Sequence, residues 1–235
     1  MVYLFGLNAI IITIIFNTYK PMKLFVYNHC PYCVKSRLVA DLSSLDYELV
    51  FLANDDEKSH IDRIGSKQVP FLEKADGTFL KESIDVCEYI AKLKNFDIAE
   101  SQINDEIKNI LAELPDDYRR IIYPRMPHHP ANECDFPTQS AKDYFINKKS
   151  KYIGDMDALL KNLPYDSIVA INKALAEIDN HIKQPFINGD QFSWDDINIF
   201  PTFFILTVAK GMIEFPENVA KYMQSIESKT NIELY

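Results

Sequence analysis

The chain has 235 residues, 47% hydrophobic and 25% charged, with a formal net charge of −9. This composition supplies a folded core, and the length suits one large domain or two small ones. The acidic balance excludes a nucleic-acid partner, whose phosphates need a basic surface.

The acid excess is uneven: residues 22–95 carry 10 Lys/Arg against 12 Asp/Glu, and residues 96–235 carry 14 against 22. The near-neutral first part can accept an anionic small molecule, and the acidic second part mostly confers solubility.

Met1 to Tyr19 holds no charged residue and is just long enough for a membrane helix. It lacks a basic n-region and a small-x-small cleavage pattern before Met22, and Asn8, Thr13, Asn17 and Thr18 dilute it. The favoured reading makes residues 1–21 a hydrophobic upstream extension and Met22 the start, because Met22 abuts a good strand, Lys23 to Tyr27. An N-terminal anchor and a signal peptide are the alternatives.

Leu24 to Tyr27 reads as a buried strand. Tyr32 to about Leu42 reads as a helix, with Val34, Leu38 and Leu42 on one face. Tyr47 to Leu52 is a second strand, which completes a βαβ unit with a parallel pair and a right-handed crossover. Asn54-Asp55-Asp56 begins a turn and a short helix that ends at Gly65. Val69 to Glu73 follows as a strand, Ala75 to Thr78 as a hairpin turn, and Phe79-Leu80 as an edge strand. Ser83 is expected to cap a helix running to about Lys94, with Val86, Tyr89, Ile90 and Leu93 as its apolar stripe.

Residues 95–101 read as a linker. Beyond it no convincing strand occurs, and helices are expected near 102–118, 137–149, 153–162, 166–183, 194–209 and 216–229. Residues 121–137 contain four prolines and read as a loop or kinked region. Ser193-Trp194-Asp195-Asp196 reads as a capping arrangement, with Ser193 at the N-cap and Asp196 at N3. The expectation is a small α/β domain over 22–95 and an all-α domain over 102–235.

Of the four cysteines, Cys30 and Cys33 lie three apart, while Cys87 and Cys134 are scattered. A close pair in a chain of this size points to redox or metal chemistry. Structural zinc usually needs four ligands, and His29, Cys30 and Cys33 give three at most. Haem attachment needs a His directly after the second Cys, where Val34 stands. A pair between a strand and a helix suits redox work. A helix N-terminus exposes unpaired N–H groups and the positive end of the macrodipole, which stabilises a thiolate. Cys30 is therefore the candidate nucleophile and Cys33, one turn further in, its resolving partner. Pro31 suits the first helical position. Cys87 is expected to be a small core residue and Cys134 an exposed free thiol; His128-His129-Pro130 reads as surface loop.

The run Met22 to Cys33, ending in Cys30-Pro31-Tyr32-Cys33, resembles the start of a glutaredoxin. Asn54-Asp55-Asp56, Lys67-Gln68-Val69-Pro70 and Glu82-Ser83 with Asp85 resemble the bacterial glutaredoxin 2 group, as do Tyr123-Pro124-Arg125, Lys142 to Phe145, Asn188-Gly189 and Phe200 to Ala209. That resemblance implies a thioredoxin-like N-terminal domain joined to a glutathione-transferase-like helical C-terminal domain.

It also implies that Pro70 is a cis-proline turning the Val69 backbone toward the dithiol, that Glu82 and Ser83 hold the γ-glutamyl group of glutathione, and that Tyr32 lines the groove. The implied activity is reduction of protein disulfides and glutathione-mixed disulfides. Glutathione would be the co-substrate, the glutathione reductase system an indirect partner, and no metal would be needed. A cytoplasmic monomer is expected. A glutathione transferase is the enzymatic alternative. A glutathione-binding or iron–sulfur protein is the non-enzymatic one.

Overall fold

A computed structural model describes residues 20–103 and 105–235. The expectation for residues 1–21 thus falls, over 1–19, outside the described residues.

The first part is a four-stranded sheet with helices on both faces. β1 (Met22–Val26) pairs in parallel with β2 (Tyr47–Phe51) and antiparallel with β3 (Phe71–Glu73). The latter pairs antiparallel with β4 (Phe79–Lys81), giving the order β2-β1-β3-β4. The period-two alternation of β1 divides its side chains between two cores. Met22, Leu24 and Val26 join the main core, together with Val34 and Leu38 of α1 (Pro31–Leu42) and Val86 and Ile90 of α3 (Ser83–Lys94). Phe25 and Tyr27 face the other way, into a smaller cluster with Leu52 and Phe71. α2 (Glu57–Ile64) covers that cluster, with Ile64 packed against it and His60 sharing a 2.9 Å hydrogen bond with the Tyr27 hydroxyl.

Local signals account for the helix ends. The Asp56 carboxylate accepts the Ser59 N–H at 2.9 Å and caps α2, and Gly65 closes that helix at φ 74°, a left-handed geometry that costs glycine little. Ser83, expected at the N-cap of α3, is its first helical residue instead. Glu82 takes the cap position with φ 65°, an unusual value for a residue with a Cβ. The chain makes its turn out of β4 one residue earlier than the hydroxyl pattern suggests.

The second part is helical: α4 (Asp105–Ile122), α5 (Gln139–Ile153), α6 (Met156–Lys161), α7 (Tyr165–Asp179), α8 (Trp194–Leu206) and α9 (Glu217–Glu227). The proline-rich stretch between α4 and α5 is not featureless. Two short 3-10 turns, Met126–His128 and Pro130–Asn132, fold it tightly. α8 is apolar nearly all round and runs through the middle: Ile197, Phe200, Phe203 and Phe204 are fully buried. It packs on α1, so the two parts share one core.

The expected cap of α8 is present. The Ser193 N–H and hydroxyl both donate to Asp196 Oδ2, at 2.8 and 2.7 Å. Asp195 accepts from Ser101 Oγ (2.6 Å), Gln102 N (2.7 Å), Ile103 N (3.2 Å) and Asn188 Nδ2 (2.7 Å), which fastens the connecting segment to the helix. Burial alone would raise that carboxyl's pKa; these bonds more than offset it and hold it low. Among the described residues no helix is long and apolar enough to cross a membrane.

Candidate active site

Cys30 is the N-cap of α1 in extended geometry (φ −93°, ψ 117°), with Pro31 opening the helix. Its carbonyl accepts from the Cys33 and Val34 N–H groups at 3.0 and 3.1 Å. Cys30 is half-buried and Cys33 fully buried, and both are free thiols. The Tyr27 N–H donates to Cys33 Sγ at 3.4 Å and ties the end of β1 to the inner thiol.

The environment separates the two sulfurs. A hydrogen bond from Cys33 is the main influence lowering Cys30 to about 7; burial opposes it, and the His29 imidazole adds to the lowering. Cys33 is pushed well above the ordinary thiol value, first by burial and then by the hydrogen bond it gives to Cys30. One group is thus poised as thiolate near neutrality while its partner keeps its proton.

The remaining expected site residues gather beside the dithiol. Tyr32, Val69, Pro70, Glu82 and Ser83 line a single groove with Gln68. Tyr32 is 61% exposed on the first turn of α1. The Val69–Pro70 peptide is cis. The Gln68 side-chain amide donates to Glu82 Oε1 at 2.9 Å, and Ser83 is the first residue of α3, at the positive end of the helix dipole.

Adjoining that groove, and sharing Tyr32 and Val69 with it, is a cavity of about 210 Å³ whose lining also includes Cys30, Lys67, Tyr123, Tyr144 and Lys149. Its far wall comes from the helical part. Lys67 lies 3.5 Å from the centroid of the Tyr144 ring, and Lys149 lies over Tyr123 at 5.0 Å. Burial, reinforced by the Lys148 charge, lowers Lys67 to about 8. Among the described residues no carboxylate lines the cavity, and its lysines favour an anionic occupant.

Sequence reading missed two groups that touch this site. His29 was visible beside Cys30 but carried no pattern. Asp135 sits in the proline-rich stretch, over a hundred positions away, with no local signal at all. Its buried carboxylate accepts from Asn28 N (2.9 Å), His29 N (3.0 Å) and His29 Nδ1 (2.6 Å). Cys134, expected as an exposed thiol, is half-buried beside it. Burial, then Asp135, pushes its thiol up to about 12, so it is no rival nucleophile. Cys87 is fully buried in the core, as expected. Among the described residues no cluster of His, Cys, Asp and Glu is arranged to hold a metal ion.

Comparison with known proteins agrees with this geometry. Residues 106–235 match the glutaredoxin 2 C-terminal domain family, and residues 29–93 match the glutathione S-transferase N-terminal domain family. The chain is 33% identical over 220 residues to glutaredoxin 2 of Escherichia coli K12, an alignment spanning 91% of this chain and 97% of that one. The chain belongs to the glutaredoxin 2 family.

The crystal structure of glutaredoxin 2 from Salmonella typhimurium in complex with glutathione superposes with a TM-score of 0.83 at 34% identity, over 91% of this chain and 96% of that one. A glutathione transferase from Phanerochaete chrysosporium shares the fold, with a TM-score of 0.71 at 14% identity, over 92% and 100% of the two chains. The expected architecture, a thioredoxin-like part followed by a transferase-like helical part, is that of the family.

Proposed function

We infer that Cys30 and Cys33 carry the chemistry of this chain, which is a glutathione-dependent thiol–disulfide oxidoreductase of the glutaredoxin type. The observation that carries the reading is the unequal pair: a half-buried, acid-shifted Cys30 at the mouth of a helix and a buried Cys33 behind it.

In the proposed cycle the Cys30 thiolate attacks the glutathione sulfur of a mixed disulfide. A Cys30–glutathione disulfide forms, and the other thiolate leaves and takes a proton from water. A second glutathione thiolate then attacks the glutathione sulfur of that intermediate, which yields glutathione disulfide and restores the Cys30 thiolate. With a protein disulfide, Cys30 first displaces one protein thiolate to form a mixed disulfide; Cys33, its proton passing to the departing protein sulfur, then attacks the Cys30 sulfur, releases the reduced protein and leaves a Cys30–Cys33 disulfide. Two glutathiones reduce that bond.

Glutathione is assigned to the groove of Tyr32, Val69, Pro70, Glu82 and Ser83. Its γ-glutamyl carboxylate would lie at the start of α3 and its cysteinyl backbone against Val69. Residues 22–95 would act as the catalytic domain and 102–235 as the helical domain that walls the site. Disulfide-bonded and glutathionylated proteins are the proposed substrates, with glutathione reductase as indirect partner, and the working form is a cytoplasmic monomer.

A glutathione-coupled reductase assay tests the reading. Cys30→Ser is expected to lose at least about a thousandfold, and Cys33→Ser to keep glutathione-mixed disulfide reduction within about tenfold. Full activity in Cys30→Ser would refute the mechanism, and turnover of an aromatic halide in place of the disulfide would favour a transferase.

A further inference from the structure

The loop that presents Cys30 is gripped from the helical part. Asp135 lies just after the second 3-10 turn, and its side chain is fully buried. Its carboxylate accepts three bonds from the two residues before Cys30, namely the Asn28 N–H, the His29 N–H and the His29 imidazole, and a longer one from the neighbouring Cys134 thiol at 3.6 Å. Asn28 is further held through its side-chain amide, which donates to Ala131 O (3.0 Å) and Asn132 Oδ1 (3.2 Å). Its Oδ1 accepts from Arg37 at 3.0 Å. The His29 ring is sandwiched between Tyr27 and Phe136, at centroid distances of 5.4 and 5.0 Å, with Phe145 edge-on. The imidazole therefore has one available placement, and it lines the same cavity as Cys30.

We propose that Asp135 is a positioning residue for catalysis: its carboxylate holds the His29 imidazole, with Nδ1 bearing hydrogen, against Cys30, so that the helical part sets how readily the nucleophile ionises. The inference rests on Cys30 being the nucleophile.

The physical basis is a relay of contacts from a buried carboxylate through a fixed ring to the thiol. The fully buried carboxylate holds the ring, the ring shares a cavity with the Cys30 sulfur, and a donor held beside a thiolate favours it over the thiol. A carboxylate oxygen only accepts, so the hydrogen bond also fixes the ring's tautomer, the role an Asp plays behind a catalytic His elsewhere. Among the described residues, the other charged or titratable groups around His29 and Asp135 are Tyr27, Cys33, Cys134, the cavity tyrosines Tyr32, Tyr123 and Tyr144 and the cavity lysines Lys67, Lys148 and Lys149. None of these touches Nδ1.

The test is the pH dependence of Cys30 alkylation by iodoacetamide in the full chain. Wild type should show a midpoint of about 7. Asp135→Asn should raise it, slowing alkylation at pH 6 by about threefold for a half-unit rise, with rates converging above pH 9. His29→Phe, which keeps an aromatic ring in the stack, should raise it as well. In the His29→Phe background, Asp135→Asn should no longer raise the midpoint, because the carboxylate's favourable influence runs through the imidazole and its direct charge opposes ionisation.

An unmoved midpoint in either single variant overturns the proposal, and so does an equal rise from Asp135→Asn in both backgrounds. Should circular dichroism show Asp135→Asn to be unfolded, the His29→Phe midpoint decides alone. A wild-type protein inert toward glutathione-mixed disulfides would sink the functional reading instead. The titration would stay readable, since alkylation reports the thiol itself.

Discussion

The two sides of Cys30 are built in different ways. The groove of Tyr32, Val69, Pro70, Glu82 and Ser83 comes from one stretch of about fifty residues, with Tyr32 and Ser83 in the first turns of helices, Glu82 between β4 and α3, and Val69 and Pro70 just before β3. The cavity's far wall, with Tyr123, Tyr144, Phe145, Lys148 and Lys149, is carried by α5 and the residue that follows α4, 40 to 66 positions beyond Ser83. The groove is mostly neutral and backbone-lined, a surface suited to one small peptide of fixed shape. The wall is cationic and aromatic, a surface that accepts many anionic partners through charge and ring contact. Specificity for the reductant and tolerance toward the substrate can thus reside on adjoining surfaces beside one sulfur.

The largest expected effect touches what both sides share. Because Cys30 is lowered from the ordinary thiol value to about 7, its reactive thiolate is present above that pH and lost below it. Single-turnover attack on a glutathione-mixed disulfide should fall by about a hundredfold between pH 8 and pH 5, along a single-proton curve. A flat profile would mean that the lowered value plays no part.

Next come changes that separate the two sides. Ser83→Ala with Glu82→Gln should raise the KM for glutathione by about tenfold, the size of one lost charge-assisted hydrogen bond, and leave Cys30 alkylation untouched. Lys148→Gln with Lys149→Gln should do the converse. It should slow reaction with an acidic glutathionylated peptide by about threefold at low salt, with the glutathione KM unchanged. If either pair moved both quantities alike, the division between the sides would fail.

The smallest effect should come from the helical part away from the wall. Ser193→Ala removes half of the cap of α8 and should cost about 1 kcal/mol in chemical unfolding with no change in turnover.

The same division explains what could be read from residue order. Cys30, Cys33 and Ser83 are visible because a dithiol at a strand–helix junction and a polar residue at a helix start are local patterns with local physics, whereas Val69 and Glu82 enter only through the family resemblance. The βαβ start, the edge hairpin and the α8 cap were legible for the same reason.

The register of the α3 cap was not, because Glu82 adopts a left-handed φ that no residue preference favours. Nor was Asp135. A carboxylate between prolines reads as solvated loop until tertiary packing brings Asn28 and His29 to it. Tyr144 and Phe145 were seen only as part of a family-like string, since nothing in their spacing says which helix face meets a distant thiol.

The bond between the Tyr27 amide and Cys33 Sγ has a practical consequence. A thiol sulfur and a disulfide sulfur differ as acceptors, so oxidation at position 33 must change the shielding of one backbone proton. The Tyr27 cross-peak in a ¹H–¹⁵N correlation spectrum is therefore a resident redox gauge. Followed during titration with glutathione and its disulfide, it would read the reduction potential of the dithiol without a dye, a coupled enzyme or any alteration of the chain.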